Sequence, residues 1–451
     1  MTTAVDPRVR FDPAASSWGD LLRARWTRVT PAALGARREL GLPTDRPIVM
    51  TGHQATFWHA GILSKYLAAG ALQSRTGAAC AWLVVDQDEA EFDSLRVPVM
   101  DASGRLHALT LALTKPAEDG TPACGVPTFD PLPPDYRGLT PALASVGDGV
   151  ERIRAALAAR RGERDGARQV SLAAFDLLGE LNHGATVIMA TQLAQSPAFL
   201  GIAERLRTEA ASAVESYNLA AASVPRARLA SLHADAARGR FELPLWLLRA
   251  GSPRLRVTTE TRAGAADLVA PRALLMTAMA RLLLCDLFIH GTGGGVYDLA
   301  TERWMERWLG ASLAPTVVAT ADLRLPIKGP EVTPEQIARA TWEAHYARHH
   351  PEVIGRADLE AEKRVLVERI AEDRRAGRDP LPSYRALQSM LERYRAACGT
   401  ELRTRAERAQ TMRTMGDEAA VAHDRTWSFA LYDTGALIAL DEKVRHALGT
   451  V

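Results

Sequence analysis

The chain has 451 residues, 47% of them hydrophobic and 24% charged, with 55 basic against 53 acidic side chains and a net charge of +2. That length calls for two or three structural units, and the balanced charge argues against nucleic acid or an anionic membrane as the main partner. No two of Cys80, Cys124, Cys285 and Cys398 form a Cys-x-x-Cys pair, which argues against structural zinc or a disulfide framework and for a reducing, cytoplasmic setting.

Residues 1–45 read as an N-terminal helical segment, with helices expected over 18–26 and 32–39. Leu40-Gly-Leu-Pro43 breaks the second of these ahead of the first strand. Pro47-Ile-Val-Met50 is a short apolar run. Thr51-Gly-His-Gln54 follows as a polar turn, and a helix begins near Trp58. This arrangement is how an open α/β sheet presents a binding edge. His53 and His59 lie in the turn and at the helix start, where free N–H groups and partial positive charge suit an anion. The alternative is a polar turn that is merely solvated. The helix continues over 62–72, and Ala79-Cys-Ala-Trp-Leu-Val-Val85 has the unbroken apolar character of a parallel strand buried on both faces.

That strand ends in Asp86-Gln-Asp-Glu-Ala-Glu-Phe-Asp93, five carboxylates in eight residues. Asp86 and Asp88, nearest the strand end, are candidates for holding an amine or acting as a base. Glu89, Glu91 and Asp93 read as solvated. A hairpin is expected from 96–100 and 105–113, then a long loop to 141 and helices over 150–159, 172–181 and 197–218. A proline inside 241–248 suits an edge strand, and 254–258 would pair with it. A helix is expected over 271–284 with proline at its start, then a strand over 285–290. Gly291-Thr-Gly-Gly-Gly295 packs four glycines into five residues beside His290 and ahead of Tyr297 and Asp298. Such a turn lets backbone N–H groups close on a ligand, or it is simply a tight strand-to-helix turn. The segment 273–289 is interrupted by Arg281 and Asp286 and is too short to span a bilayer.

After a strand over 316–320 the chain becomes helical and charged, with helices over 334–347, 359–376 and 383–412. Leu387, Leu391, Tyr394 and Cys398 are spaced four, three and four apart, a seam for an antiparallel helical hairpin that packs on itself or on a second copy. His345 and His349 have a metal-ligand spacing, but no Glu adjoins the first and no third ligand is evident, so no metal site is assigned. Residues 421–451 form a closing segment packed on the core.

Thr51-Gly-His-Gln54, Trp82-Leu-Val-Val-Asp-Gln-Asp-Glu-Ala-Glu-Phe92 and Asp286-Leu-Phe-Ile-His-Gly-Thr-Gly-Gly-Gly-Val-Tyr297 together resemble motifs of the bacillithiol biosynthesis cysteine-adding enzymes. In those enzymes a Thr-Gly-Gln-Gln turn precedes a Trp-Leu strand with an acidic end. The resemblance runs in order over most of residues 46–415. It implies relation to class I aminoacyl-tRNA synthetase-like ligases, a Rossmann-like parallel-sheet core over 46–330 with insertions at about 100–260, a coiled-coil arm over 331–420, and a homodimer. It places His53, Gln54, Asp86, Asp88, His290 and Tyr297 around the active site. The implied reaction joins the carboxyl of cysteine to an amino group of a sugar-type acceptor. Apart from the resemblance, ATP or ADP is a candidate cofactor of such a ligase, and the acidic strand end from Asp86 is a candidate magnesium site. His53 stands where the family has glutamine, Ile62 where the His-x-Gly-His signature has its second histidine, and no Lys-Met-Ser-Lys-Ser loop is present.

The sequence therefore predicts an α/β ligase forming a carbon–nitrogen bond. His53, Asp86, Asp88 and His290 are its catalytic candidates. Thr51, Gly52, Gln54, His59, Gly61, Gly291, Gly293, Gly294, Gly295, Tyr297 and Asp298 are its candidates for contacting substrate or nucleotide. Two other readings stand beside it: a non-catalytic nucleotide- or metabolite-binding dimer that keeps the fold, and a helical scaffold whose arm recruits a partner.

Overall fold

Short apolar segments separated by helices leave the chain one economical solution, a central sheet with helices against its faces. The computed structural model describes residues 6–272 and 274–450. Its main sheet has six strands: β1 (Arg8–Asp12), β2 (Ile48–His53), β3 (Ala79–Val84), β4 (Thr186–Met189), β5 (Leu287–His290) and β6 (Thr316–Asp322). The spatial order is β1-β6-β5-β2-β3-β4. All neighbours are parallel except β1, which runs antiparallel to β6. The protein is thus a mixed α/β fold. β1 was not expected: its alternating Arg-Val-Arg-Phe-Asp suits an edge strand, whereas residues 1–45 had read as helix and loop.

Two crossovers decide where a ligand can sit. β2 is followed by α1 (Ala60–Thr76), which leads to β3 on one side; β5 is followed by α2 (Gly294–Leu309), which leads to β6 on the other. The chain therefore departs in opposite directions from adjacent strands, which opens a crevice beyond the carboxyl ends of β2 and β5. The two strands are tied side chain to backbone: Thr51 Oγ1 donates to the Ile289 carbonyl at 2.8 Å. At the other end of β5, Asp286 accepts from Ile48 N at 2.8 Å and from Arg37 Nη2 at 2.9 Å, a buried pair that fastens the helix Pro31–Glu39 to the sheet.

The connection between β4 and β5 carries a second, smaller sheet. Its middle strand, Arg240–Leu248, lies between Leu255–Thr258 and Leu268–Pro271. Pro244 therefore sits in a central strand, not at the expected edge. Arg256 pairs with Trp246 and Val257 with Leu243, so Pro244 and Leu245 form a bulge in the middle strand itself, where the missing N–H of Pro244 breaks no ladder bond to that neighbour. Pro271 ends a strand, and the helix that follows spans Leu274–Met279 before a wider turn to Leu284. The helix expected over 197–218 is two, Pro197–Thr208 and Ala210–Ala222.

The chain divides into two units. One comprises residues to Val99, Ala108–Pro326 and Asp424 onward; the other comprises Met100–His107 and Ile327–His423. In the second unit, helices Ala357–Arg375 and Leu381–Ala397 run antiparallel, tied by Ser383 to Asp373 at 2.9 Å and Arg393 to Glu362 at 2.9 Å. Met390, Leu391, Tyr394 and Cys398 form its small core with Leu359, Leu366, Leu387 and Leu402. Gly399 starts a new helix, Gly399–His423, so the long helix expected from 383 is interrupted at Cys398. Among the described residues no helix is long and apolar enough to cross a membrane.

Candidate functional site

The crevice between β2 and β5 opens into a cavity of about 680 Å³. Its lining comes from the ends of β2, β3 and β5, the starts of α1 and α2, the second sheet, and Arg425 and Thr426 of the closing segment. Of the predicted residues it gathers Gly52, His53, Gln54, His59, Gly61, Asp88, His290, Gly291, Gly293, Gly294 and Tyr297. Thr51, Asp86, Gly295 and Asp298 lie outside the lining.

The geometry explains those four. Thr51 is fully buried and occupied by its bond across to β5. Asp86 is fully buried and accepts from Thr191 N at 2.9 Å and Thr191 Oγ1 at 2.5 Å. Burial pushes its carboxyl up to about 6 in spite of those bonds. It holds the chain after β4 against the end of β3 and faces no ligand. Gly295 packs on β6, where a Cβ would come within 2.9 Å of Val318. Asp298 is buried behind His290, with Oδ2 2.6 Å from His290 Nε2 and 3.2 Å from Arg281 Nη1. Arg281 also pairs with Glu302 and donates to the Ala314 carbonyl at 2.8 Å. Asp298 thus lies between His290 and Arg281 at ion-pair distance, without hydrogen-bond geometry to either and outside the cavity lining.

Within the cavity, β2 ends in Gly52 and His53. A Cβ on Gly52 would overlap the Leu83 carbonyl oxygen, so only glycine lets β2 run this close to β3. Burial, with Lys65 and His59 nearby, lowers His53 to about 3, which leaves a neutral imidazole at ordinary pH. His59 caps α1: its Nδ1 accepts from Gly61 N at 3.0 Å. One N–H expected to meet an anion is therefore already satisfied by the protein itself. The acceptor role of Nδ1 puts the His59 proton on Nε2. Burial, then Arg425 and Lys65, hold its pKa below the ordinary value. Trp58, just ahead, packs on Trp82 with ring centroids 4.2 Å apart and the planes tilted by 32°, and its carbonyl accepts from Phe429 N at 2.6 Å.

On the opposite wall α2 starts directly from the glycine turn, with Gly294 N donating to the Gly291 carbonyl at 3.1 Å. A Cβ on Gly294 would collide with the His290 ring. Tyr297, 5.7 Å edge-on from the His290 ring, is pushed up to about 12 by burial and stays a neutral phenol. Asp88 is ion-paired with Arg254, which also reaches Glu89 at 3.2 Å, and Gln54 Nε2 stands 3.5 Å from Asp88. Arg254 and Arg272 both stack on Trp246, at 4.6 and 4.9 Å, and Arg272 is paired with Glu242 at 2.6 Å. The carboxylate in the lining is thus already engaged, and magnesium here would depend on oxygens brought by a ligand.

Lys65, Gln87, Trp246, Arg272 and Arg425 also line the cavity, although the sequence motifs did not point to them. For Lys65 a signal existed: it is the one charged residue between Ala55 and Ser74. Gln87 lies inside the acidic motif but was passed over between its two aspartates; Trp246, Arg272 and Arg425 come from segments remote in sequence and gave no signal. His345 and His349, singled out for their spacing, have rings 5.6 Å apart, and His349 Nδ1 is 3.1 Å from Arg395. His350, Glu352 and Glu360 are close enough to share a cation, but Lys363 Nζ is there, 2.9 Å from His350 and 3.0 Å from Glu360.

Compared with protein-family models and with curated proteins, the chain matches none.

Proposed function

We propose that the chain is an amide-forming ligase with a Rossmann-like core, acting in the cavity at the carboxyl ends of β2 and β5 on an amino acid and a small amine acceptor. The observation that carries this reading is the convergence of His53, Gln54, His59, His290 and Tyr297, with the bare glycine turn, on one cavity of about 680 Å³. That volume suits an amino acid and a sugar-sized partner together. The resemblance supplies cysteine as the amino acid and a homodimer with a coiled-coil arm; ATP with magnesium would be the activating pair, and the scattered cysteines fit a cytoplasmic setting.

The chemistry follows from the protonation states. Attack of an amine on a carboxyl that ATP would have activated as an acyl phosphate or adenylate forms the carbon–nitrogen bond and releases phosphate or AMP; negative charge develops on the carbonyl oxygen on the way, and fixed donors in a dry site stabilise it strongly. Neutral His53 and neutral Tyr297 are such donors. His290, at ion-pair distance from buried Asp298, is the group placed to take the proton of the attacking amine. Asp88, tied to Arg254, shapes the wall and is not the base. Purified protein given cysteine, ATP and a panel of amino sugars should yield a thiol conjugate detectable by mass spectrometry.

One observation favours a second reading, a metabolite-binding protein without turnover. Asp86 and Asp88, the two carboxylates the motifs offered for catalysis, are both engaged inside the protein. Ligand-induced stabilisation without product across the acceptor panel would select it.

A further inference from the structure

The cavity holds a lysine whose charge no carboxylate among the described residues balances. Lys65 projects from α1 and is 5% exposed. Its Nζ donates to the Gly52 carbonyl at 2.6 Å, and it lies 5.7 Å from the centre of the Trp82 ring. Among the described residues no carboxylate comes within ion-pair distance of it. Of the neighbouring arginines, Arg272 is matched by Glu242 and Arg254 by Asp88 and Glu89, while Arg425, also in the lining, is exposed to solvent. Only five of the 55 basic residues are lysine, yet the deeply buried, unmatched cation of this cavity is one of them. A buried ammonium without a counter-ion is costly to keep, and burial alone draws this amine down to about 7.

The surroundings are shaped to admit the missing charge. Gly291 leaves open the space beside Lys65; a Cβ there would sit 4.0 Å from Lys65 Cδ. The Gly52 carbonyl uses one of three N–H groups and leaves two free. Gln87, 2% exposed, donates to the Pro271 carbonyl at 3.1 Å while its Oε1 has no partner. An unsatisfied buried acceptor in the same lining calls for a donor on the ligand.

We propose that Lys65 is the anchor for an oxyanion of the bound molecule, with a carboxylate or phosphate of the ligand supplying its counter-charge beside Gly291 and an O–H or N–H of the same ligand reaching Gln87. This rests on the reading of the cavity as a small-molecule site and names the chemical class it takes. The anchor predicts an unusual pair of effects. A structural lysine destabilises the fold when removed; an anchor held against its own desolvation does not.

The test uses the full-length chain with malate, inorganic phosphate and ADP as separate probes, by thermal shift and calorimetry. At least one probe should stabilise the wild type, malate reporting a carboxylate subsite and phosphate or ADP a phosphoryl one. Lys65→Met and Lys65→Gln, the second of which still offers a donor, should melt at or above the wild-type temperature without ligand and bind that probe at least tenfold more weakly. Unchanged affinity in both variants, no response of the wild type to any probe, or a large loss of ligand-free stability in both variants would each overturn the assignment. Binding through Lys65 without amide product leaves the anchor standing and removes the ligase. Product formed at the wild-type kcat/KM by both variants removes the anchor and leaves the ligase.

Discussion

Oδ2 of Asp298 lies 2.6 Å from Nε2 of His290, and neither residue owes its place to the other's strand or helix alone. β5 delivers the histidine, the second turn of α2 delivers the aspartate, and the glycine turn between them is what folds the one back onto the other. Replacing Asp298 by Asn leaves buried Arg281 short of a counter-charge, although Glu302 remains beside it. Removing one partner of a buried pair costs about 3–5 kcal/mol, and Asp298→Asn should lower stability by an amount towards the lower end of that range in urea unfolding. In the ligase assay kcat should fall about 100-fold, as for loss of an acid–base group, with a smaller change in KM.

Asp86→Asn separates motif from role. Asp86 bonds Thr191 and faces no ligand, so probe binding should stay within about twofold of wild type. Its raised pKa fixes the sign of the pH effect. A carboxyl lifted to about 6 by burial favours the protonated form in the folded state, so its contribution is full below the ordinary carboxylate range and is lost as pH rises towards 6. The stability deficit of Asp86→Asn should therefore be larger at pH 4 than at pH 7 in parallel urea titrations.

Lys65→Met should behave in the opposite sense. The amine is brought from its ordinary value down to about 7, so the penalty of keeping it charged is full below pH 7 and fades as pH rises towards the ordinary lysine range. The variant should exceed the wild type by the most at pH 6, by up to a few kcal/mol on the linkage relation, and the gap should close by pH 10.

His59 is a cap before it is a ligand contact. His59→Ala should cost about 1 kcal/mol through the lost bond to Gly61 N, while His59→Asn, a good capping residue, should recover most of it. Equal melting temperatures for the two variants would show that capping is not what His59 contributes.

Gly52→Ala tests the close approach of β2 to β3. Its Cβ would overlap the Leu83 carbonyl, and crowding in a packed interior typically costs about 1–3 kcal/mol. A matching substitution at Gly293, where a Cβ would meet nothing within 4 Å, should cost far less.

Local patterns carried much of this structure. The unbroken apolar runs of β2 and β3, the apolar face of α1 and the glycine turn before α2 each declare themselves over a few residues, and they locate the cavity's two main walls. Long-range matters were hidden. Pro244 reads as an edge residue because proline lacks a donor, and the bulge at 244 and 245 that accommodates it exists only in the pairing with a strand a dozen residues away. Asp86 and Asp88 stand two apart at one strand end and look equivalent; Thr191 and Arg254, which separate their roles, are more than a hundred residues distant. Trp246 and Arg272 reach the cavity only because the second sheet folds over it.

The closing segment adds a matter of timing. Arg425 and Thr426 complete the cavity wall, Phe429 N bonds the Trp58 carbonyl, and the Tyr432 hydroxyl bonds the Leu323 carbonyl at 2.9 Å. During synthesis the sheet can form once β6 has emerged, but the wall supplied by residues 425 and 426 arrives only after about a hundred further residues are made. A chain ending near residue 330 would lack that wall, and Trp58 would lose its contacts with Phe429. Chains truncated ahead of residue 424 should therefore bind the same anions more weakly than the chain that carries the closing segment, by thermal shift and calorimetry.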